Sequence, residues 1–175
     1  MQADFVTEIK GILKKHNVDP EKGLGEDLFL LVSCLVPVVN IDLIVYGPDG
    51  RFLLTKRKDP YCGTGWHFPG GCLRFKESLD IRVRKVAFKE LGIENLIYDK
   101  SPFKVLEFVA TEPRPIIDQN IRAHFITMVY KCQVNSDYVI DNKSLNEDEA
   151  GYIKWFDKLP DDLIKIHDYY RDFIK

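Results

Sequence analysis

Residues 63–93 read GTGWHFPGGCLRFKESLDIRVRKVAFKELGI, a segment rich in glycine and aromatic residues that leads into a helical pattern. The segment 59–71 holds two prolines and four glycines, which predicts an ordered loop with one short strand. From Ser78 to Leu91 the apolar residues recur at helical spacing, and Gly92 follows where a left-handed residue would end a helix. The sequence therefore predicts a helix over 78–91.

One carboxylate on that helix lies where an apolar side chain is expected. At the pitch of an α-helix, Glu90 falls within about 20° of Leu79 and Val83, on the stripe that should face the core. Two interpretations follow. Either the stripe ends at the surface and Glu90 is solvated or paired with a Lys or Arg, or a metal ion compensates the desolvated charge.

The segments on either side predict a mixed α/β (α+β) domain with a sheet sandwiched between helices. In chain order the hydrophobic pattern predicts a helix over 4–16, a loop over 17–26, a buried strand over 28–46, a turn at 47–50, a strand over 51–57, strands over 103–111, 123–134 and 152–156, and a final helix opening at Pro160. We expect an N-terminal extension over 1–27 and a main domain over 28–175. The apolar faces of the two terminal helices either cap the sheet or form a homodimer contact.

Charge and composition exclude several classes of protein. The 175 residues carry a net charge of −2, which predicts no nucleic-acid partner. The most apolar stretch, 28–39, is interrupted by polar residues and a proline and is shorter than a membrane helix requires, so no membrane association is predicted. No secretory signal is evident at the N-terminus, so a cytoplasmic location is the expectation. The four cysteines lack the paired spacing of zinc sites and are expected to be reduced thiols.

The loop and helix over 63–93 resemble the Nudix box, whose pattern is G-x5-E-x7-R-E-U-x-E-E-x-G-U with U a bulky aliphatic residue. Gly71 and Glu77 match its first two fixed positions, and Glu90, Gly92 and Ile93 match its end. The pattern is long and its spacing is fixed, and the preceding Trp-x-Phe-Pro-Gly adds to the match. The resemblance implies the Nudix fold over roughly residues 36–158.

The box departs from the pattern at its acidic positions. Val86 and Lys89 replace two of the three helix carboxylates, and Lys85 replaces the arginine, where it is expected to pair with Glu77. A single helix acid can still anchor one Mg²⁺ that keeps waters and substrate oxygens, but several ions would lack ligands. We therefore expect one Mg²⁺ as the cofactor.

Within the superfamily the reduced box is similar to that of the GDP-mannose mannosyl hydrolases. That resemblance implies a metal bound by the carbonyl of Gly70, by Glu90 and by a loop residue that aligns with Glu149. Glu90 and Glu149 are accordingly the predicted catalytic residues. The general base of those enzymes would fall at Ala150, which has no proton acceptor.

Four further residues are predicted to bind substrate. The resemblance places Arg57 on the diphosphate and Asp42 near the active site. The ordinary alternatives are that Arg57 is a surface charge at the end of a strand and that Asp42 is an acid paired within the sheet. Trp66 and Phe68 belong either to the core or to a wall for a base or sugar.

The function expected from these residues is Mg²⁺-dependent hydrolysis of a small nucleoside diphosphate derivative, with a nucleotide sugar favoured. The sparse set of acids favours attack at the sugar carbon, because one metal on both phosphates is enough when the diphosphate leaves whole. Two alternatives remain open at this point. One is an ordinary diphosphatase that cleaves P–O–P, and the other is a non-catalytic nucleotide-binding module.

Overall fold

The structure is a computed structural model that describes residues 4–114, 116 and 118–174. Its helices are α1 (Phe5–Lys15), α2 (Glu26–Ser33), α3 (Leu79–Leu91) and a C-terminal 3-10 helix (Lys165–Asp172). Its strands are β1 (Val38–Tyr46), β2 (Phe52–Asp59), β3 (Gly63–His67), β4 (Gly70–Cys72), β5 (Ile97–Tyr98), β6 (Lys104–Val109), β7 (His124–Gln133) and β8 (Ile153–Phe156).

The strands form one mixed sheet in the order β3-β2-β1-β7-β5, with β4 on β1, β6 on β7 and β8 on β2. β1 and β7 run parallel along the whole of β1, and every other pairing is antiparallel. β1 and β2 pair only through Tyr46 and Phe52 beside their turn. Beyond that point β4 takes the place next to β1 and β3 the place next to β2, so the two halves of the sheet separate at one end.

Two hydrophobic cores lie on opposite faces of the sheet, as the α/β prediction requires. α3 packs Val83, Val86 and Leu91 over one face. The C-terminal segment packs Leu163 and Tyr170 over the other. The expectation that the C-terminal helix caps the sheet is confirmed.

The predicted central helix is present with both of its end signals. The Ser78 side chain accepts a hydrogen bond from the Ile81 N–H at 3.3 Å, and Gly92 ends α3 at a φ of 68°. The turn at 47–50 is also confirmed, since the Gly47 N–H donates to the Arg51 carbonyl at 2.8 Å. Both features depend on residues a few positions apart, which is why local pattern predicted them.

The buried strand predicted over 28–46 is wrong in its first half. Residues 26–33 form α2, whose first turn begins with Glu26 and Asp27, and the strand starts only at Val38. Acids in the first turn complement the helix dipole, and the Ser33 hydroxyl donates to the Leu30 carbonyl at 2.7 Å. A short apolar run does not distinguish a buried strand from a helix. The expected boundary between residues 27 and 28 falls inside α2.

Two other expectations needed correction. Residues 59–71 contain β3 and the start of β4 rather than one short strand in a loop. The final helix begins at Lys165 and is of the 3-10 type. Residues 161–162 form a turn and Leu163 bridges to Trp66 instead, because the Trp66 N–H donates to the Asp162 carbonyl and the Ile164 N–H donates to the Trp66 carbonyl, each at 2.9 Å.

α1 forms over Phe5–Lys15 as predicted, with the Asp4 carboxylate accepting from the Thr7 N–H at 2.9 Å. None of its side chains is buried, and Phe5 is 75% exposed. The expectation that α1 caps the sheet is therefore wrong, while the homodimer contact stays a prediction. Among the described residues no helix combines the length and apolar character needed to cross a membrane.

Candidate active site

The carbonyl of Gly70 points away from its neighbouring strand. The Leu43 N–H donates to the Pro69 carbonyl and the Leu73 N–H to the Val39 carbonyl, each at 2.9 Å. In an antiparallel pair such bonds occur at alternate residues, so Gly70, opposite Asp42, occupies a non-hydrogen-bonded position. Among the strands that the structure describes, β4 pairs with β1 alone, which leaves the Gly70 carbonyl oxygen available to a ligand.

Gly70 also lies unusually close to Asp42. A Cβ added to Gly70 would lie 2.1 Å from Oδ1 of Asp42 and 3.0 Å from the Ile41 carbonyl oxygen. Any side chain at position 70 would therefore displace the Asp42 carboxylate. This contact is a physical reason for glycine at the predicted metal-ligand position.

Asp42 is a buried acid held by donors from three parts of the chain. Its carboxylate accepts from the Tyr170 hydroxyl and from the Asn40 amide, each at 2.7 Å. The His167 Nε2 lies 3.5 Å away, and because His167 Nδ1 accepts from the Phe68 N–H, we assign its ring proton to Nε2. Burial raises the pKa of Asp42 to about 7, against the opposing effect of these hydrogen bonds. The alternative of an acid paired inside the protein describes Asp42 well.

Glu90 is half-buried on α3 and lacks a protein partner in the part of the chain that the structure describes. No hydrogen bond or ion pair reaches its carboxylate there. Burial raises the pKa of Glu90, while the charges of Lys89 and Arg57 oppose the rise. The alternative of an ion-paired Glu90 is not observed among the described residues, and a desolvated carboxylate without a donor favours a cation as its partner.

Arg57 is held in place by a carboxylate that the sequence analysis did not single out. Asp59 Oδ2 accepts from Arg57 Nη2 at 2.8 Å and from Arg122 Nη1 at 3.1 Å. Burial alone would raise the pKa of Asp59, but the hydrogen bond from Arg57 and the charge of Arg122 hold it well below its ordinary value. Two guanidinium groups thus share one carboxylate, which leaves one net positive charge at this point of the site.

Arg122 in turn is anchored by α2 and by Tyr61. Its backbone N–H donates to the Ser33 hydroxyl of α2 at 3.0 Å, and its guanidinium lies 5.9 Å from the ring centre of Phe29 and 5.8 Å from that of Tyr61. Arg122 and Asp59 are 63 positions apart in the chain, so no local pattern could have indicated this contact.

Glu149 has a structural role in its own loop. Its Oε2 accepts from the Asn146 N–H at 2.7 Å and from the Asn146 side-chain amide at 2.9 Å. The carboxylate would have to leave these donors to bind a metal or accept a proton from water. Its predicted role as ligand and catalytic residue stays a prediction.

The two predicted aromatic residues differ in position. Trp66 is 4% exposed and packs against Phe156, with ring centres 4.8 Å apart, so the core alternative describes it and the predicted substrate contact does not. Phe68 is also fully buried but lines the cavity beside Asp42. Its neighbour His67 donates from Nδ1 to the Thr55 carbonyl at 2.8 Å, and burial lowers the pKa of His67 to about 3, which keeps its ring neutral.

A cavity of about 90 Å³ lies where the two halves of the sheet separate. It brings together four of the predicted site residues: Asp42, Arg57, Phe68 and Gly70. Its lining also contains residues from distant parts of the chain that the sequence analysis missed: Asn40, Arg122, Thr127, His167 and Tyr169. Glu90, Glu149 and Trp66 do not line it.

The donor set fits one divalent cation. Among the described residues, no group of three or more His, Cys, Asp or Glu side chains is placed to hold a metal. A partnerless carboxylate at Glu90 and an outward carbonyl at Gly70 are hard oxygen donors of the kind that Mg²⁺ prefers when water and substrate complete its shell. These observations agree with the expectation of a single ion.

Comparison of the sequence with models of known families identifies the domain. The sequence model of the NUDIX domain matches residues 36–172. The chain belongs to the Nudix family. It is therefore a Nudix hydrolase with the Nudix fold, and its box runs from β4 through α3. α1 and α2 lie outside the matched residues.

Solved structures share the fold. A MutT NUDIX hydrolase from Burkholderia pseudomallei is 24% identical, with a TM-score of 0.52 over 74% of this chain and 92% of that chain. A NUDIX hydrolase from Nitrosomonas europaea is 15% identical, with a TM-score of 0.50 over 69% of this chain and 72% of that chain. At these identities the likeness concerns architecture, and the similarity to GDP-mannose mannosyl hydrolases stays a prediction.

Within the box the expected pairing of Glu77 with Lys85 is confirmed at 3.0 Å. The structure adds a second partner, since Arg82 Nε donates to Glu77 at 2.7 Å and both of these side chains are buried. Glu77 thus joins the β4–α3 loop to the helix.

Proposed function

We propose that this Nudix hydrolase cleaves a nucleoside diphosphate-linked small molecule, with a nucleotide sugar as the expected substrate and one Mg²⁺ as cofactor. The observation that carries the proposal is the half-buried Glu90 carboxylate, which has no protein partner among the described residues. It lies on the helix that follows β4 and its outward-facing Gly70 carbonyl. Gly70 and Glu90 would hold the cation. When bound, Mg²⁺ neutralises charge on the phosphate oxygens and withdraws electrons from the bond that breaks.

The chain's own residues supply the rest of the diphosphate site. Arg57 and Arg122 together exceed the charge of Asp59 by one, and both line the cavity. A guanidinium donates two parallel hydrogen bonds to phosphate oxygens, which orients the group as well as stabilising its charge. Because Asp59 and the aromatic rings around Arg122 already hold both side chains, little side-chain entropy is lost when the diphosphate binds.

The proton acceptor for the attacking water is proposed to be Glu149, after release of its carboxylate from Asn146. Asp42 is another acid of the site, but its three donors and its burial favour a role in positioning Gly70 and Tyr170. Ala150 supplies no base, so the reaction depends on an acid rather than on a histidine at that position.

The sparse box favours attack at the sugar carbon, with the whole diphosphate as leaving group, and cleavage of P–O–P is the alternative. Product analysis by phosphorus NMR distinguishes them. Attack at carbon yields a nucleoside diphosphate and free sugar, whereas attack at phosphorus yields a nucleoside monophosphate and a sugar phosphate.

The test of the proposal is Glu90→Gln, assayed with a panel of nucleotide sugars and dinucleotides at increasing Mg²⁺ concentrations. Glutamine keeps the size of the side chain but removes its charge, so we expect a loss of kcat/KM of about 100-fold and a Mg²⁺ requirement raised by about tenfold or more. Glu94→Gln is the matched control, because Glu94 is an exposed acid just beyond α3 and outside the cavity. Unchanged turnover and Mg²⁺ dependence in Glu90→Gln would contradict the proposal.

A further inference from the structure

A second and larger groove lies between the N-terminal extension and the Nudix box. Its volume is about 820 Å³, in the range of sites for small-molecule ligands. One wall is formed by residues 20–26 and by α2, and the other by residues 71–75 and by Arg82 and Lys89 of α3. Nine of the 24 lining residues therefore lie outside the part of the chain that matches the Nudix family.

The groove is positively charged although the chain has a net charge of −2. Its lining contains two acidic residues, Glu26 and Asp59. Against them stand five basic residues: Lys22, Arg74, Arg82, Lys89 and Arg122. A concave surface with an excess of one sign of charge concentrates ions of the opposite sign.

Three of these cations are available to a ligand. Within the described ranges, neither Arg74 nor Lys89 forms an ion pair, and both are exposed. Lys22 has only an exposed contact with Asp19, at 3.4 Å. Arg82 and Arg122, in contrast, are already bound to Glu77 and Asp59.

The groove and the cavity of the active site share part of their lining. Gly71, Cys72 and Arg122 line both. Lys89 is also the immediate neighbour of Glu90 along α3. A substrate whose diphosphate lies at Gly70, Glu90 and Arg57 can therefore extend past Arg122 into the groove.

We propose that this groove binds an additional anionic group of the substrate, a phosphate or carboxylate beyond the diphosphate, through Lys22, Arg74 and Lys89. The proposal rests on the proposed function for the position of the diphosphate. It gives the substituted box a role, because Lys89 in place of an acid attracts an anion where that acid would have attracted a metal. It also gives the N-terminal extension a role, since residues 20–26 supply Lys22 and one wall.

The test measures the binding of inorganic tripolyphosphate to the full chain by titration calorimetry, without metal. The variants are Lys22→Glu, Arg74→Glu and Lys89→Glu, which reverse the charge at three exposed positions outside the core. We expect each reversal to weaken binding by about tenfold and to reduce the dependence of affinity on salt. Lys10→Glu on α1 is the control, because Lys10 is an exposed cation outside the groove, and its affinity should stay within about twofold of the parent chain.

Three outcomes would overturn the proposal: no measurable binding to the parent chain, equal binding by the reversal variants, or an equal loss in Lys10→Glu. Glu90→Gln separates this proposal from the proposed function. If the groove is an anion site, Glu90→Gln binds tripolyphosphate at least as tightly as the parent chain, because it removes a nearby negative charge. Full hydrolytic activity in that variant would contradict the proposed function alone.

Discussion

Replacement of Gly70 by alanine tests the closest contact in the site. The new Cβ would lie 2.1 Å from Oδ1 of Asp42, far inside van der Waals contact, and 3.0 Å from the Ile41 carbonyl oxygen. Overpacking of this kind costs about 1–3 kcal/mol. If the carboxylate moves away, its hydrogen bonds from Tyr170 and Asn40 weaken at about 1 kcal/mol each.

The gain from a less flexible unfolded chain offsets about 0.4–1 kcal/mol of this cost. We therefore expect Gly70→Ala to lower the free energy of unfolding by about 2–4 kcal/mol, equivalent to a fall in Tm of about 10 °C for a domain of this size. Gly71→Ala is the matched control. Its Cβ would meet the Val86 Cγ2 at 3.2 Å, a contact that a small side-chain shift relieves, so its cost should stay below about 1 kcal/mol.

Guanidinium denaturation of both variants, alone and in an Asp42→Ala background, measures these costs. In the Asp42→Ala background the overlap between the new Cβ and the carboxylate is gone, so Gly70→Ala should cost less than about 1 kcal/mol. The double-mutant cycle should then give a coupling energy of about 2 kcal/mol. An equal cost of Gly70→Ala in both backgrounds would show that the Asp42 contact is not what requires glycine.

Three further predictions concern the pH dependence and the box. The folded pKa of Asp42, about 7, lies above its ordinary 3.8, so the stabilisation by its bound proton is complete below about 3.8 and is lost as pH rises through about 7. Relative to Asp42→Asn, the free energy of unfolding of the parent chain should fall by about 1.4 kcal/mol per pH unit across that window in denaturant titrations. A difference between the two chains that does not change with pH would contradict the burial of a titrating acid. Ser78→Ala removes the cap of α3 and should cost about 0.5–2 kcal/mol by thermal unfolding, whereas Ser101→Ala, outside any helix, should cost little. Glu77→Gln leaves buried Arg82 without its counter-charge and should lower the free energy of unfolding by about 3–5 kcal/mol. Lys85→Gln should lower it by less than about 1 kcal/mol, and equal effects would mean that the exposed Lys85–Glu77 pair holds the loop.

The site was only partly predictable from the sequence. Glu90 stood out because its place on a helical stripe is a local property, and Gly70 was chosen by the resemblance to the GDP-mannose mannosyl hydrolases. Asp59 and Arg122 gave no such signal, since their contact depends on how two separate loops meet. Glu149 was chosen by alignment, and only the structure shows that Asn146 already occupies its carboxylate.

The sequence by itself determined α3 with its two ends, the turn at 47–50 and membership of the Nudix family. Each depends on residues within a few turns of one another, where capping, periodicity and turn chemistry act directly. Tertiary structure decided that residues 26–33 are helical, that Leu163 bridges to Trp66, and that Tyr170 reaches Asp42 across 128 positions. For such short segments the intrinsic difference between helix and strand is small, so contacts with distant parts of the chain select the conformation.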